Sequence, residues 1–283
     1  MERNTAKRTL EKLLSVCICL CMLGAMLPAQ VFAEEADTAQ TETVQDTAPK
    51  DTVYLSSADD LIQLAKNCRL DSWSQNRTVV LEADIDLSSV DFNGIPSFGG
   101  TWEGQNHAIT GLSLSQDGSV QGLFRYVQQG ALVRDMTVKG RIKPGGTRAS
   151  VGGIAGSNAG TIENCAFDGV VSGTSQIGGI AGVNTVKGSI NGCTVSGTVY
   201  GSHFVGGVVG QNDGVAANCT NAASVNTTVS QNEVKLNDLT LDDVLKTEKA
   251  NDVTDAGGIA GNNAGVLRAC INRGTIGYSH IGY

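Results

Sequence analysis

Four carboxylates crowd one short stretch of the chain: Asp84, Asp86, Asp91 and Glu103. Cutting a polysaccharide needs acids and bases clustered on one face, so this group is where such chemistry would sit. Asp84 and Asp86 alternate with Ile85 and Leu87, which turns both outward from a strand; a solvated face is the first reading, a carbohydrate-cutting or ion-binding site the second. Trp73 and Trp102 could stack on sugars, but packing in a core or cap is the first reading of both. A second set of reactive side chains recurs down the chain: Cys165, Cys193, Cys219 and Cys270. Thiols could bind metal or form disulfides, but metal sites favour paired ligands such as CxxC, which is missing beyond residue 33. A column of small buried hydrophobes is the simpler reading, with thiols that run parallel rather than toward each other. His107, His203 and His280 stand alone, without HExxH, and there is no GxSxG elbow, P-loop or GGxGxDxUx calcium repeat. The sequence therefore assigns no catalytic, cofactor-binding or metal residue.

What positions these residues is a repeat. VGGIAGSNAGTIENC begins at Val151, IGGIAGVNTVKGSINGC at Ile177, VGGVVGQNDGVAANC at Val205 and AGGIAGNNAGVLRAC at Ala256. The first glycines, Gly152, Gly178, Gly206 and Gly257, are 26, 28 and 51 residues apart, the last interval being stretched by an insertion at 226–255. A period in this range means one supersecondary unit stacked on its own copies. Within a copy, apolar and β-branched residues run in short stretches broken by Gly, Asn and Asp, with no sustained helical spacing. Three short strands per copy fit a mainly-β, right-handed parallel β-helix. Leucine-rich repeats have the length but not the leucine pattern, and 36 glycines argue against helical repeats. Equivalent positions should then form ladders. Asn158, Asn184, Asn212 and Asn263 form one, able to hydrogen-bond along the axis; the four cysteines form another. Gly160, Gly188, Gly214 and Gly265, just after the asparagines, most simply supply positive φ at a tight corner.

Upstream, residues 78–150 read as degenerate coils of the same solenoid, with strand-like runs at 78–83, 107–114, 122–127 and 132–138. Ser57-Ala-Asp-Asp60 is a capping box that opens a short helix with Leu61, Leu64, Ala65 and Cys68 on one face. Residues 53–77 are expected to cap the exposed first coil. Residues 34–52 contain almost nothing to bury and read as a disordered acidic linker. Residues 1–33 read as a signal peptide: Arg3, Lys7, Arg8 and Lys12 precede an apolar run from Leu13 to Leu27, then Val31-Phe32-Ala33. The bulky residues before Cys17, Cys19 and Cys21 argue against a lipoprotein signal. Cleavage after Ala33 leaves a net charge of about −10, against −8 for the whole chain. That balance argues against nucleic acid or an anionic membrane surface as a partner. A fifth glycine block would fall due at about Tyr283, so the repeat is expected to continue beyond it.

The GG-[IV]-[AV]-G-x-N…C blocks resemble the GLUG motif of bacterial surface proteins, and SSADDLIQLAK, VLEADIDLSSVDF, GTWEGQNHAITGLSL and VQGLFRYV look like the opening coils that precede such repeats. The resemblance spans roughly residues 53–283. It implies a β-helical fold and no single activity, since related proteins include zinc peptidases that cleave immunoglobulin A as well as adhesins. The expected function is a non-catalytic extracellular or surface-attached stalk or adhesion surface, monomeric, without cofactor or membrane insertion. It would bind a glycan or protein ligand, or none. The alternative is a polysaccharide-active β-helix or the accessory part of a larger peptidase. The insertion at 226–255 carries a second capping box, Thr240-Leu-Asp-Asp243; a loop that is simply tolerated is the first reading, and a helix-bearing protrusion at 236–250 that contributes to recognition or packs along the solenoid is the second.

Overall fold

The computed structural model describes residues 51–227 and 255–277. The chain divides into two units, Met1–Asp46 and Thr47–Tyr283, and every described residue falls in the second. Residues 1–33, expected to be a signal peptide, nearly all of the expected linker at 34–52, and most of the 226–255 insertion with its expected helix lie outside the described residues.

Every strand pairing is parallel, and each strand pairs with its counterpart one coil away. The coil that begins at Thr161 shows the unit. Thr161–Glu163 lies in sheet I, Ala166–Ser172 in sheet II, Ser175–Gly178 in sheet III and Ala181–Asn184 in sheet IV. Sheets I and II contain eight strands each, sheet III four and sheet IV six, so about six turns are stacked. The protein is a parallel β-helix, and the register is strict: Ile162 faces Ile190, Phe167 faces Val195, Gly178 faces Gly206 and Asn184 faces Asn212.

Where three strands per repeat are expected, the regular coils have four. The difference lies in the glycine pair. Ala149–Gly152 ends at Gly152 and Ala155–Asn158 begins after Ile154, so the chain bends at the pair and splits one strand into two. The second glycine has to be glycine because the solenoid is thin there: a β-carbon on Gly153 would sit on the Phe167 ring, and one on Gly179 on the Val195 side chain. The corner glycines correct another expectation. Gly160, Gly188, Gly214 and Gly265 do not have positive φ. They are glycine for close approach, since a β-carbon at Gly160 would come within 2.6 Å of the carbonyl oxygens of Gln128 and Ala131. The left-handed turns lie elsewhere. Asp135, Asn164, Gly192, Asn218 and Ala269, with φ of 51–64°, turn the chain from sheet I into sheet II. Asn and Asp tolerate that region; an alanine held there is a strained choice.

The core is a set of columns. One runs Val79, Trp102, Val133, Ile162, Ile190, Ala216. Its largest side chains sit in the first coils, where Trp102, Phe98 and Phe124 meet with ring centroids 5.2–6.0 Å apart. Another runs Phe98, Val127, Asn158, Asn184, Asn212, Asn263 and changes from apolar to amide part-way along. Asn158 donates through Nδ2 to Asn184 Oδ1 at 2.9 Å, Asn184 to Asn212 at 2.8 Å and Asn212 to Asn263 at 2.7 Å. The first three asparagines are fully buried. Each also reaches the carbonyl of the corner glycine in its own coil, at 3.2 Å from Asn158 to Gly160 and 3.3 Å from Asn184 to Gly188. A second amide pair, Asn221 to Asn272 at 2.8 Å, continues the Phe167–Val195 column in sheet II.

The first coil is closed by two devices. Thr52–Leu55 pairs in parallel with Thr78–Leu81 and covers the edge of sheet I. The helix Ala58–Asn67 follows it, with Leu61 and Leu64 buried. Ser57 caps the helix, its hydroxyl accepting from Asp60 N at 3.2 Å while Asp60 Oδ2 accepts from Ser57 Oγ at 2.7 Å. The cap region therefore begins with a strand of the solenoid itself, ahead of the helix.

Two substitutions test this packing. Gly179→Val and Gly207→Val force a branched side chain into occupied space and should each destabilise by about 3 kcal/mol or more, against a change near zero for Val186→Ala at an exposed site (76 % accessible). Thermal melts equal to the parent would contradict the stacking. Asn184→Ala strands buried amide and carbonyl groups on both neighbouring coils and should cost about 2–4 kcal/mol, read by denaturant titration.

Candidate functional site

The four acids singled out in the sequence do not converge. Asp84 and Asp86 flank and end the short sheet II strand Ile85–Asp86, whereas Glu103 ends Thr101–Glu103 in sheet I. Each is occupied locally. Asp84 Oδ1 accepts from Ala108 N at 2.8 Å and lies 3.1 Å from His107 Nδ1; the Ala108 amide, with His107 second, holds the carboxyl below the usual range. Asp86 accepts from Ser88 N and Ser88 Oγ, both at 2.9 Å, and is likewise lowered, chiefly by the amide. Carboxyls so held are anions at neutral pH, whereas a general acid needs a raised pKa. Glu103 is clamped by Arg134 in a bidentate pair, with Nε to Oε2 at 2.7 Å and the second bond at 2.8 Å. Asp135 at 3.7 Å and Glu163 at 3.8 Å crowd the same guanidinium, whose pKa is raised by the Glu103 bond first. Asp91 borders a cavity at the capped end.

The tryptophans are also committed. Trp102 is fully buried among Phe98 and Phe124. One face of the Trp73 ring carries the Arg77 guanidinium 4.6 Å from its centroid, and Arg77 also donates to the Trp73 carbonyl. His280 lies outside the described residues. Among the described residues no cluster of three or more His, Cys, Asp or Glu is arranged to hold a metal ion.

The cysteines follow the left-handed residue that leads into sheet II, and their column starts one coil earlier. Ala166 N donates to Met136 O as Thr194 N donates to Cys165 O and Thr220 N to Cys193 O, so Met136 (2 % accessible) occupies the same rung. A methionine there shows what the rung asks for: a small to medium apolar filling. Cys165, Cys193 and Cys219 are buried, and all five described cysteines, Cys68 among them, are free. Burial pushes the Cys165 thiol up to about 12 and the Cys68 thiol to about 11. Hydrogen bonding to Cys219, together with burial, also raises the Cys193 thiol. Cys68, Cys165 and Cys193 are therefore protonated, inert thiols, whereas the hydrogen bond with Cys193 lowers Cys219 against the effect of its burial.

Two adjoining cavities lie at the capped end. The helix Ala58–Asn67 overhangs the strand Ile95–Phe98, leaving a cavity of about 270 Å³. Its floor is apolar, formed by Ile62, Ala65, Phe92 and Pro96, and Lys66, Arg69 and Arg125 stand around it with Asp91 and Asn93. A shallower cavity of about 680 Å³ continues from Pro96 and Arg125 past Ser97, Tyr126 and Gln128 to Asp71 and Gln75. The capping box explains why the helix begins where it does, and its length brings Lys66 in the last turn, with Arg69 just beyond, over the opening. Arg125 is fixed by its own Nε, which donates to the Val120 carbonyl at 3.0 Å. None of these cations was evident from sequence, since no spacing marks them; only the stacking of coil and helix brings them together.

No protein-family model matches the chain. Over 128 residues, 39 % of its length, it is 29 % identical to halomucin of Haloquadratum walsbyi, and that stretch is 1 % of halomucin. A crystal structure of a Bacteroides ovatus protein, provisionally described as an immunoglobulin A1 protease, superposes with a TM-score of 0.46 and 17 % identity, over 80 % of this chain and 79 % of that one. That superposition is too loose to argue from. What defines the class of this protein is its own register: it is a β-helical repeat protein. No helix among its described residues is long and apolar enough to cross a membrane.

The thiols yield a pH prediction. The folded state keeps the Cys165 proton up to about pH 12, while the unfolded thiol releases it near 9.0. This contribution to stability is therefore complete below pH 9 and is lost as pH rises toward 12. Stability should fall more steeply over that window in the parent than in Cys165→Ala; equal slopes would contradict the assignment. A thiol reagent should label the native protein slowly until denaturant is added.

Proposed function

We propose that this chain is the non-catalytic solenoid of an exported bacterial surface protein of the GLUG-motif kind, a stiff scaffold that holds a binding surface away from its point of attachment. One observation carries the reading: the polar side chains best suited to chemistry are already engaged in structural hydrogen bonds, most of them between coils. The asparagines spend their amides along the axis, Glu103 is locked to Arg134, and Asp84 and Asp86 are tied to backbone amides. A scaffold needs such internal satisfaction, whereas an active site keeps groups free and their pKa values displaced toward neutrality. The repeat supports the same reading, because stacked coils lengthen a structure without changing its cross-section. Similarity to a stretch amounting to 1 % of halomucin is consistent with such coils serving as a segment of a much longer chain. The signal-like residues 1–33 support export.

The test has two parts. On intact producing cells the solenoid should be accessible to antibody and to added protease, and deleting residues 2–33 should leave it inside. Purified protein incubated with a panel of plant and mucosal polysaccharides, and with immunoglobulin A, should release neither new reducing ends nor antibody fragments. Retention in the cytoplasm of the intact chain would overturn the surface role, and product release would overturn the non-catalytic one.

A further inference from the structure

We infer that the cleft under the cap helix binds an acidic saccharide, with a sugar carboxylate at the Lys66–Arg69–Arg125 end and the neighbouring sugar against Tyr126. The inference rests on the scaffold reading, since it gives the scaffold its ligand. The first ground is charge. The chain as a whole carries −8, yet the inner cavity sets three cations against one anion, Asp91. Lys66 and Arg69 take part in no ion pair among the described residues, although carboxylates are abundant elsewhere on the surface. Unneutralised cations around a concavity with an apolar floor suit a ligand that brings its own anion together with an apolar face.

The second ground is the adjoining surface. Tyr126 is 48 % accessible, beside Pro96, in the kind of open aromatic position against which a sugar ring packs. Around it the hydrogen-bonding groups are held in advance. Gln128 Nε2 donates to Ser97 Oγ at 2.7 Å and to the Asp71 carbonyl at 2.8 Å, while its Oε1 accepts from Gln75 Nε2 at 3.0 Å. That chain leaves the Gln75 carbonyl oxygen, the Asp71 carboxylate and the Tyr126 hydroxyl available for sugar hydroxyls, at little cost in ordering. The third ground excludes the obvious rival. Ile95–Phe98 is the edge of sheet IV, where a peptide could add as a strand, but Pro96 in that edge has no N–H to offer and the helix overhangs it.

Three probes decide the matter by calorimetry on the intact mature protein: trigalacturonate, sialyllactose, and the carboxyl-reduced neutral counterpart of trigalacturonate. At least one acidic probe should bind and the neutral one should bind on the order of tenfold more weakly or not at all. Which acidic probe binds identifies the source of the carboxylate, hexuronate or sialate. Arg69→Gln should weaken the acidic probe by about tenfold and Tyr126→Ala by a similar factor, with unchanged thermal melts because both side chains are exposed. Equal binding of neutral and acidic probes, failure of both acidic probes, or full competition by inorganic phosphate would overturn the inference. None of these outcomes bears on surface accessibility or on product release, so the scaffold reading stands or falls separately.

Discussion

Parallel stacking at about 4.8 Å places every side chain directly over its counterpart in the next coil, so each position must tolerate a copy of itself or of something its size. That constraint governs everything else in the molecule. Apolar residues meet it by interdigitating, as in the Ile162–Ile190 column. Charged residues meet it badly, and buried columns hold none among the described residues. Asparagine is the polar side chain that suits the rule, because its amide donates in one direction along the axis and accepts in the other, so a column of any length leaves unpaired groups only at its ends. Glycine answers the complementary demand where backbone approaches backbone or where the opposite wall of a thin solenoid leaves no room.

The same rule decides where function can reside. Positions inside the stack are fixed by their neighbours above and below, which leaves little freedom to tune a catalytic group. Freedom returns where the stack stops or is interrupted: at the cap, and at the corner between sheets II and III. At that corner the early coils carry longer connections, 115–120 and 143–148, later ones turn in two residues, and Asn226 and Asp255 bound the insertion. The cleft at the cap is an instance of the first kind. Its cations come from the cap helix, the turn that follows it and a strand, which no repeat period relates.

Much of the fold was legible because repetition multiplies weak signals. One GGIAG means little, but four in phase with asparagine and cysteine fix a coil length and a set of columns. The capping box at Ser57 was legible for a different reason, its chemistry being complete within four residues. What escaped the sequence depends on distances between coils. Nothing in Gly160 distinguishes a left-handed corner from a crowded one, and the crowding is supplied by Gln128 and Ala131 of the preceding coil. Met136 hides the true length of the cysteine column because the eye follows identity rather than apolar character. Asn221 and Asn272 pair inside sheet II without any conspicuous motif. The acids near residue 84 are close along the chain without converging in space, since Asp84 and Asp86 belong to sheet II and Glu103 to sheet I.

If axial stacking is what holds the solenoid, the coils joined by the asparagine column must behave as one cooperative unit. Hydrogen exchange followed residue by residue tests this directly. The amides of Ile162, Phe167, Ile190 and Val195 should exchange together, at a rate set by global unfolding, and more slowly than those of the 115–120 connection. Contradiction would come from coils that exchange one at a time, with Ile162 and Ile190 opening at rates of their own and no faster protection lost at the connection than within the stack.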